Sequence, residues 1–497
     1  RILKIKAMKF GKILSLFLTA LTLLVTSGCN DWLELIPPDG LVKDEYWKSK
    51  EDVEAVLMGA YQQFAQLDER LFLYGELRAD LLADDNNTAG NQRLIMEANI
   101  YPDNVMCDWS DFYLVINYCN AVLKYAPIVL EIDQTFTEYQ RLGFEAEASF
   151  LRGLAYFYLV RIWKEVPLVL EASEEDDVDF FLPKSSEEEV LSFIKQDLKK
   201  TLGYVTDDYG TLEQNKGRAN RGAILALLAD ISLWQYEYQE VIDYVDQIET
   251  MGYFLLPAAK WFENFYPGNS LSGIFEFQFN SGLDQPNDLY SYTFFNNRRY
   301  RASEKAMEFL APELSSEIYR GRGSLRSTDG AIWKYCGGAP DEKTLRPSSE
   351  RTDANWIVYR YADVLLMKAE ALSQVGRYQE ALDIVNEIRS QALVKPLSIP
   401  ETAEAFENAI MDERATELAF EGKRWFDLVR LGRRNGYTRK NYLIEIVIDK
   451  VPSTQKLVLA SKLTDPFGWY LPIEEDELER NSQLVQNPYY DVYSEED

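Results

Sequence analysis

The chain has 497 residues, enough to bury a large core as one domain or two. Hydrophobic residues at 46% with 13% aromatics mark a globular protein, and a net charge of −29 repels phosphate backbones, which excludes nucleic acid as a partner. The histidine count of zero removes Ser-His-Asp and Cys-His hydrolases, His-ligated zinc and imidazole proton shuttles.

Four cysteines, Cys29, Cys107, Cys119 and Cys336, form no CxxC pair, so neither a metal nor a cofactor is expected. Met8 reads as the initiator, with Arg1–Ala7 an upstream addition. Lys9 and Lys12 precede an apolar run from Ile13 to Val25, shorter than the roughly 20 helical residues a bilayer needs and suited to a secretory signal. Thr26-Ser27-Gly28-Cys29 then resembles a lipobox, with Thr26 where leucine is commoner. Residues 1–28 are therefore expected to be a signal peptide and Cys29 a lipidated residue. An ordinary signal peptide with a coincidental cysteine is the alternative. Residues 29–45, with Pro37-Pro38-Asp39-Gly40, read as a stiff polar tether.

Ser49 and Asp52 cap a helix whose apolar positions are Val53, Val56, Leu57, Ala60, Tyr61 and Phe64. The run from Asp84 to Asn91 is a polar loop without periodicity. Framed from Asp85 as a calcium loop it fails, because Ala89 and Met96 fall where ligands belong. Helices are predicted over 109–123 and 135–163, the second apolar nearly all round, hence buried, and stopped by Pro167. Cys119 lies in the first and reads as a buried thiol. Ser186-x-x-Glu189 is a capping box for a helix with Val190, Phe193, Ile194 and Leu198 inward.

Ala229 and Tyr238 return as Ala369 and Tyr378, an offset of 140 positions, with Gly376 and Ala381 in the later copy replaced by Tyr236 and Val241 in the earlier. Small residues at a helix crossing and an aromatic at the turn suit a tetratricopeptide-like helix pair. Between the copies, residues 252–345 are aromatic, Asn-, Arg- and Gly-rich without helical period, apart from Ile274–Phe279, which alternates like a strand. Leu443–Ile448 and Lys456–Leu459 also read as short strands.

The stretch Glu413–Arg430 organises the rest. Glu413, Glu417 and Glu421 recur every four residues, Gly422 interrupts the helix, and Arg424-Trp425-Phe426-Asp427 restarts it with an expected Arg424–Asp427 ion pair. Trp109 and Trp425, at helix starts beside apolar stripes, read as core. Without histidine or metal ligands the charged cluster reads as a structural clamp.

Five segments in order, at 29–64, 149–168, 356–389, 413–430 and 469–489, resemble the SusD/RagB family of outer-membrane nutrient-binding lipoproteins of Bacteroidetes. They include Ser149–Trp163, Val358–Leu372, the organising stretch, and Leu471-Pro472-Ile473 followed by Gln486-Asn487-Pro488. Glu474 stands where proline is usual. The resemblance implies a mainly α fold: a tetratricopeptide-like helix-pair scaffold with a loop-rich ligand-binding region and a few short strands. An N-terminal part is expected over 46–251 and a C-terminal part over 252–497, with 252–345 as its loop-rich insertion. It also implies a non-enzymatic lipoprotein, surface-exposed on the outer membrane, that passes glycan to a SusC-like TonB-dependent transporter.

Sugar capture needs flat aromatic faces beside amide, carboxylate and guanidinium groups. Composition and loop placement nominate Tyr290, Tyr292, Phe295, Asn296, Arg299, Tyr300 and Trp333, with Asp84, Asn86 and Asn87 as an opposite wall. Peptide capture, as in the RagB branch, is the alternative and suits the acidic surface. A carboxylate-pair glycosidase and a protein-binding repeat scaffold are further readings with less support.

Overall fold

Helix α1 (Lys50–Ala65) starts where the sequence predicts. The computed structural model describes residues 46–85, 87–173, 181–294, 298–313 and 319–491. Ser49 N donates to Asp52 Oδ2 at 2.7 Å and Asp52 N to Ser49 Oγ at 3.4 Å, closing the capping box. Val53, Leu57, Ala60 and Phe64 are buried, while Val56 and Tyr61 lie at the edge of the stripe. The short α2 (Asp68–Glu76) follows. Beyond a short helix at Gly90–Met96, α3 (Ser110–Ile132) runs well past the predicted end and through Pro127, and packs against both α1 and α4 (Glu138–Trp163). Every residue of α4 from Ala146 to Trp163 is buried. Its charged members are paired: Glu147 with Arg218 at 2.8 Å, and Arg152 with Asp197 at 2.7 Å.

α5 (Glu187–Thr201) carries the predicted Ser186/Glu189 box, and the short α6 (Leu212–Gly217) follows it. The repeated sequence forms two helix pairs: α7 (Arg221–Trp234) with α8 (Tyr238–Glu249), and α10 (Tyr361–Gln374) with α11 (Tyr378–Gln391). Because α8 packs on α10, the pairs stack as one solenoid segment across the intervening insertion. Gly376 turns at φ +80°, and Tyr236, its counterpart, takes φ +65° despite its side chain. A hydrogen bond from Tyr236 Oη to the Arg430 carbonyl (2.9 Å) helps hold that turn.

Within the insertion, β2 (Gly273–Phe277) pairs antiparallel with β4 (Trp356–Arg360), and both are buried. β1 (Leu82–Asp84) pairs antiparallel with β3 (Tyr300–Ala302), so Asp84 sits opposite Tyr300. Between β2 and β3 lies the short α9 (Leu289–Thr293). From Ser49 onward the chain is one compact unit.

The organising stretch becomes α12 (Ala403–Glu417), a turn with Phe420 at φ +65° and Gly422 at φ +70°, and α13 (Arg424–Tyr437). A Cβ added at Gly75 of α2 would lie 1.9 Å from the Gly422 carbonyl oxygen, so backbone meets backbone there. The expected Arg424–Asp427 pair does not form. Arg424 reaches back to Asp80 at 2.8 Å, and Asp427 is held by Arg414 at 3.0 Å and Arg430 at 2.8 Å. On the glutamate face, Glu413 and Glu417 share Arg320 at 2.6 and 2.9 Å, while Arg360 bridges Glu417 and Glu421 at 2.7 and 2.8 Å. Burial raises the Glu417 and Asp427 carboxyls, but the adjacent guanidiniums override it and hold each near about 2. The clamp is real, and its partners come from across the fold.

Leu443–Ile448 and Lys456–Leu459 are not strands. They lie in α14 (Lys440–Ile448) and α15 (Ser453–Lys462), where Leu443 and Val447, four apart, are the buried positions of α14. β-branched composition suggests strand, but burial on one face follows the helical period. At the end of the chain, Ile473 N donates to Gln486 Oε1 (2.8 Å) and Gln486 Nε2 to the Ile473 carbonyl (2.9 Å), tying the two terminal motifs together. Cys107, Cys119 and Cys336 are all free and buried, whereas Cys29 lies outside the described residues.

Candidate ligand-binding site

The β1–β3 ladder joins two loops more than two hundred positions apart. Asp85 N donates to the Arg299 carbonyl (3.0 Å), Thr88 Oγ1 to the same oxygen (2.8 Å) and Asn87 Nδ2 to the Arg298 carbonyl (3.3 Å). Ion pairs brace the junction: Arg298 with Asp85 and with Asp329 (3.0 Å), Arg299 with Glu69 (3.0 Å), and Arg93 with Asp84 (2.8 Å). Beneath them lies an aromatic layer. Phe294 is 5.5 Å from Tyr290 and 5.9 Å from Trp333, with the Arg326 guanidinium 4.5 Å from its ring centre.

The nominated residues divide by exposure. Asp84 and Arg299 are partly exposed and Asn87 is exposed. Tyr290 and Tyr292 are 5% exposed, and Tyr300 and Trp333 are 0% exposed, so these four rings form the floor of the face rather than open stacking platforms. The cause is tertiary: Tyr300 packs against Phe72 of α2, and Trp333 packs in a core cluster with Trp261, Phe262 and Ile357. Burial and the neighbouring Glu69 carboxylate push the Tyr292 phenol up. Phe294, half-buried, is the more accessible ring of this layer. Asn86, Phe295 and Asn296 lie outside the described residues.

Among the described residues, none of those nominated lines the large cleft, of about 830 Å³, between α1, α6 and residues 266–286 and 346–355. Its walls carry Tyr61, Gln62, Arg218, Tyr266, Asn269 and Asn355 among others. Single-sequence reasoning missed it because four separated segments build it and no motif marks them. Among the described residues, no group of three or more Cys, Asp or Glu side chains is arranged to hold a metal ion.

Fold and surface together define a mainly helical protein with a tetratricopeptide-like scaffold, carrying a loop-built polar face and a wide cleft. The chain belongs to the SusD/RagB family. A family model described as the SusD family matches residues 330–490, and one described as "Starch-binding associating with outer membrane" matches residues 31–233. Among curated proteins it is similar to SusD-like protein P38 of Formosa agariphila, 28% identical over 494 residues, covering 87% of this chain and 95% of that one. Among solved structures it is similar to a SusD superfamily protein of Bacteroides vulgatus, with TM-score 0.75, 21% identity and coverage of 89% and 100% of the two chains. A protein described as a laminarin-binding SusD-like protein superposes with TM-score 0.69 at 22% identity, covering 89% of this chain and all of that one. At such identities the likeness to solved structures establishes the fold. The mainly helical architecture expected from the sequence is thereby confirmed.

Proposed function

We propose that this protein is a lipid-anchored, surface-exposed outer-membrane lipoprotein, joined to lipid through Cys29. It captures a neutral oligo- or polysaccharide and delivers it to a SusC-like TonB-dependent transporter. Membership of the SusD/RagB family supports a binding role rather than catalysis, and the starch-binding model and the laminarin-binding relative support glycan as the ligand. The observation that carries the reading is the joined β1–β3 face. It combines the Asn87 amide, the Arg299 guanidinium and the Asp84 carboxylate with the half-buried ring of Phe294. Amide and guanidinium donors suit sugar oxygens, carboxylates accept from hydroxyls, and an aromatic ring suits the C–H face of a pyranose.

Calorimetric titration with laminarin and maltose-type oligosaccharides, and separately with a cationic peptide mixture, tests this. Saturable binding of a neutral oligosaccharide is expected, weakened about 5- to 150-fold in Asn87→Ala/Arg299→Ala, since losing two hydrogen-bonding groups costs roughly 1–3 kcal/mol. Saturable peptide binding with no glycan response would replace this reading with peptide capture. Co-purification of a SusC-like barrel with this chain from native outer membranes tests the transporter.

A further inference from the structure

We infer that the cleft between α1, α6 and residues 266–286 and 346–355 is a second saccharide-binding site, taking a short neutral stretch of the same polysaccharide. This rests on the glycan reading above but concerns a different surface, since the cleft lining shares no residue with the β1–β3 face. At about 830 Å³ it falls within the range of small-molecule sites, on the order of 300–1,000 Å³.

Its polar groups are locked before any ligand arrives. Asn269 and Gln278 exchange reciprocal amide hydrogen bonds, both 2.9 Å. Asn355 Nδ2 donates to Gln278 Oε1 and to Glu276 Oε2, each at 3.1 Å, and its Oδ1 accepts from Phe279 N at 3.3 Å. Such a network fixes side-chain directions, so binding spends little conformational entropy on them.

The aromatic element is Tyr266, whose hydroxyl donates to Glu350 Oε2 at 2.7 Å while the Arg346 guanidinium lies 5.1 Å from its ring centre. Arg346 is 3% exposed, and its Nη2 donates to the carbonyls of Phe265 (2.5 Å) and Lys334 (3.1 Å). Among the described residues no carboxylate lies within ion-pair distance of Arg346, so the cleft wall holds a fixed cation that is not neutralised at close range. A guanidinium beside a tyrosine ring, in a cleft that Glu350 and Asp353 also line, is hydroxyl-recognition chemistry. At the mouth, the turn Ser281–Leu283 carries Leu283 72% exposed, an apolar contact for a sugar C–H face. Glu213, Asp284, Glu350 and Asp353 line the same space, which disfavours sulfated or uronate-rich chains and selects neutral ones.

Two separate grips on one polymer produce avidity. The test titrates the full-length mature protein with a short laminarin oligosaccharide and with laminarin polysaccharide. The variants are Leu283→Arg, which obstructs the mouth from an exposed position, and Tyr266→Ala, with Asn87→Ala/Arg299→Ala for the other face. The wild type is expected to bind two short oligosaccharides. Leu283→Arg and Tyr266→Ala should each remove one of them, leave the affinity of the other unchanged, and weaken polysaccharide binding by roughly 100-fold. A stoichiometry of one that the face variants abolish and the cleft variants leave untouched overturns the second site while keeping the glycan reading. No response to any glycan overturns both.

Discussion

Arg320 is the residue whose loss tests the clamp most directly. It is 1% exposed and reaches Glu313 at 2.5 Å, Glu413 at 2.6 Å and Glu417 at 2.9 Å. In Arg320→Met, Glu417 keeps Arg360 at 2.7 Å and Glu413 keeps Arg389. Glu313, 4% exposed, has no second cation among the described residues. The variant therefore leaves one buried carboxylate uncompensated, and truncating one partner of a buried pair costs roughly 3–5 kcal/mol. We expect a loss of about 4 kcal/mol in urea unfolding followed by tryptophan fluorescence. The reporter is close at hand, since the Trp261 indole donates to Glu417 Oε1 at 3.1 Å. Adding Glu313→Gln removes the stranded charge and should restore about 2 kcal/mol.

The acid limb supplies a second readout of the same variant. Burial raises the Glu417 carboxyl and the Arg360 and Arg320 guanidiniums lower it, to about 2 from the ordinary 4.5. Its stabilising contribution is present above the unfolded value and is lost as pH falls toward 2. Without Arg320 that loss begins at higher pH. A destabilisation below about 1.5 kcal/mol, with no recovery in the double variant, would falsify the clamp as an energetic unit.

Three other outcomes follow from the packing. Gly75→Ala drives a methyl to 1.9 Å from the Gly422 carbonyl oxygen and should cost about 3 kcal/mol or more in the same assay. Trp425→Ala removes a 3% exposed indole stacked 4.4 Å from the Arg78 guanidinium, and should cost roughly 3–5 kcal/mol while leaving the glycan dissociation constant unchanged. Burial, opposed by the Gly422 N–H, pushes Glu76 up to about 8 from 4.5, so the folded state carries an extra proton between those values. Stability falls as pH rises through that window, by up to about 1.4 kcal/mol per pH unit. Glu76→Gln should flatten this slope, and identical slopes in the two proteins refute the assignment.

The sequence by itself determined the elements that depend on neighbours a few positions away. The Ser49/Asp52 and Ser186/Glu189 capping boxes, the all-round burial of α4 and the two helix pairs rest on hydrogen bonds or burial periods between near neighbours in the chain. The clamp was legible as a cluster but not in its wiring. Asp427 sits three positions from Arg424, and yet Arg424 pairs with Asp80, 344 positions away. Tertiary structure likewise decided that Leu443–Ile448 is helical, because burial of Leu443 and Val447 on one face outweighs β-branched composition. For the candidate site, the sequence nominated two segments, 84–87 and 290–300, and the β1–β3 ladder sets them side by side. Which rings stay open was not readable. Tyr290, Tyr292, Tyr300 and Trp333 are covered by segments remote in sequence, and the cleft exists only where four such segments converge. Exposure and charge pairing are properties of what lies across a contact, and a chain read in order records only what lies beside each residue.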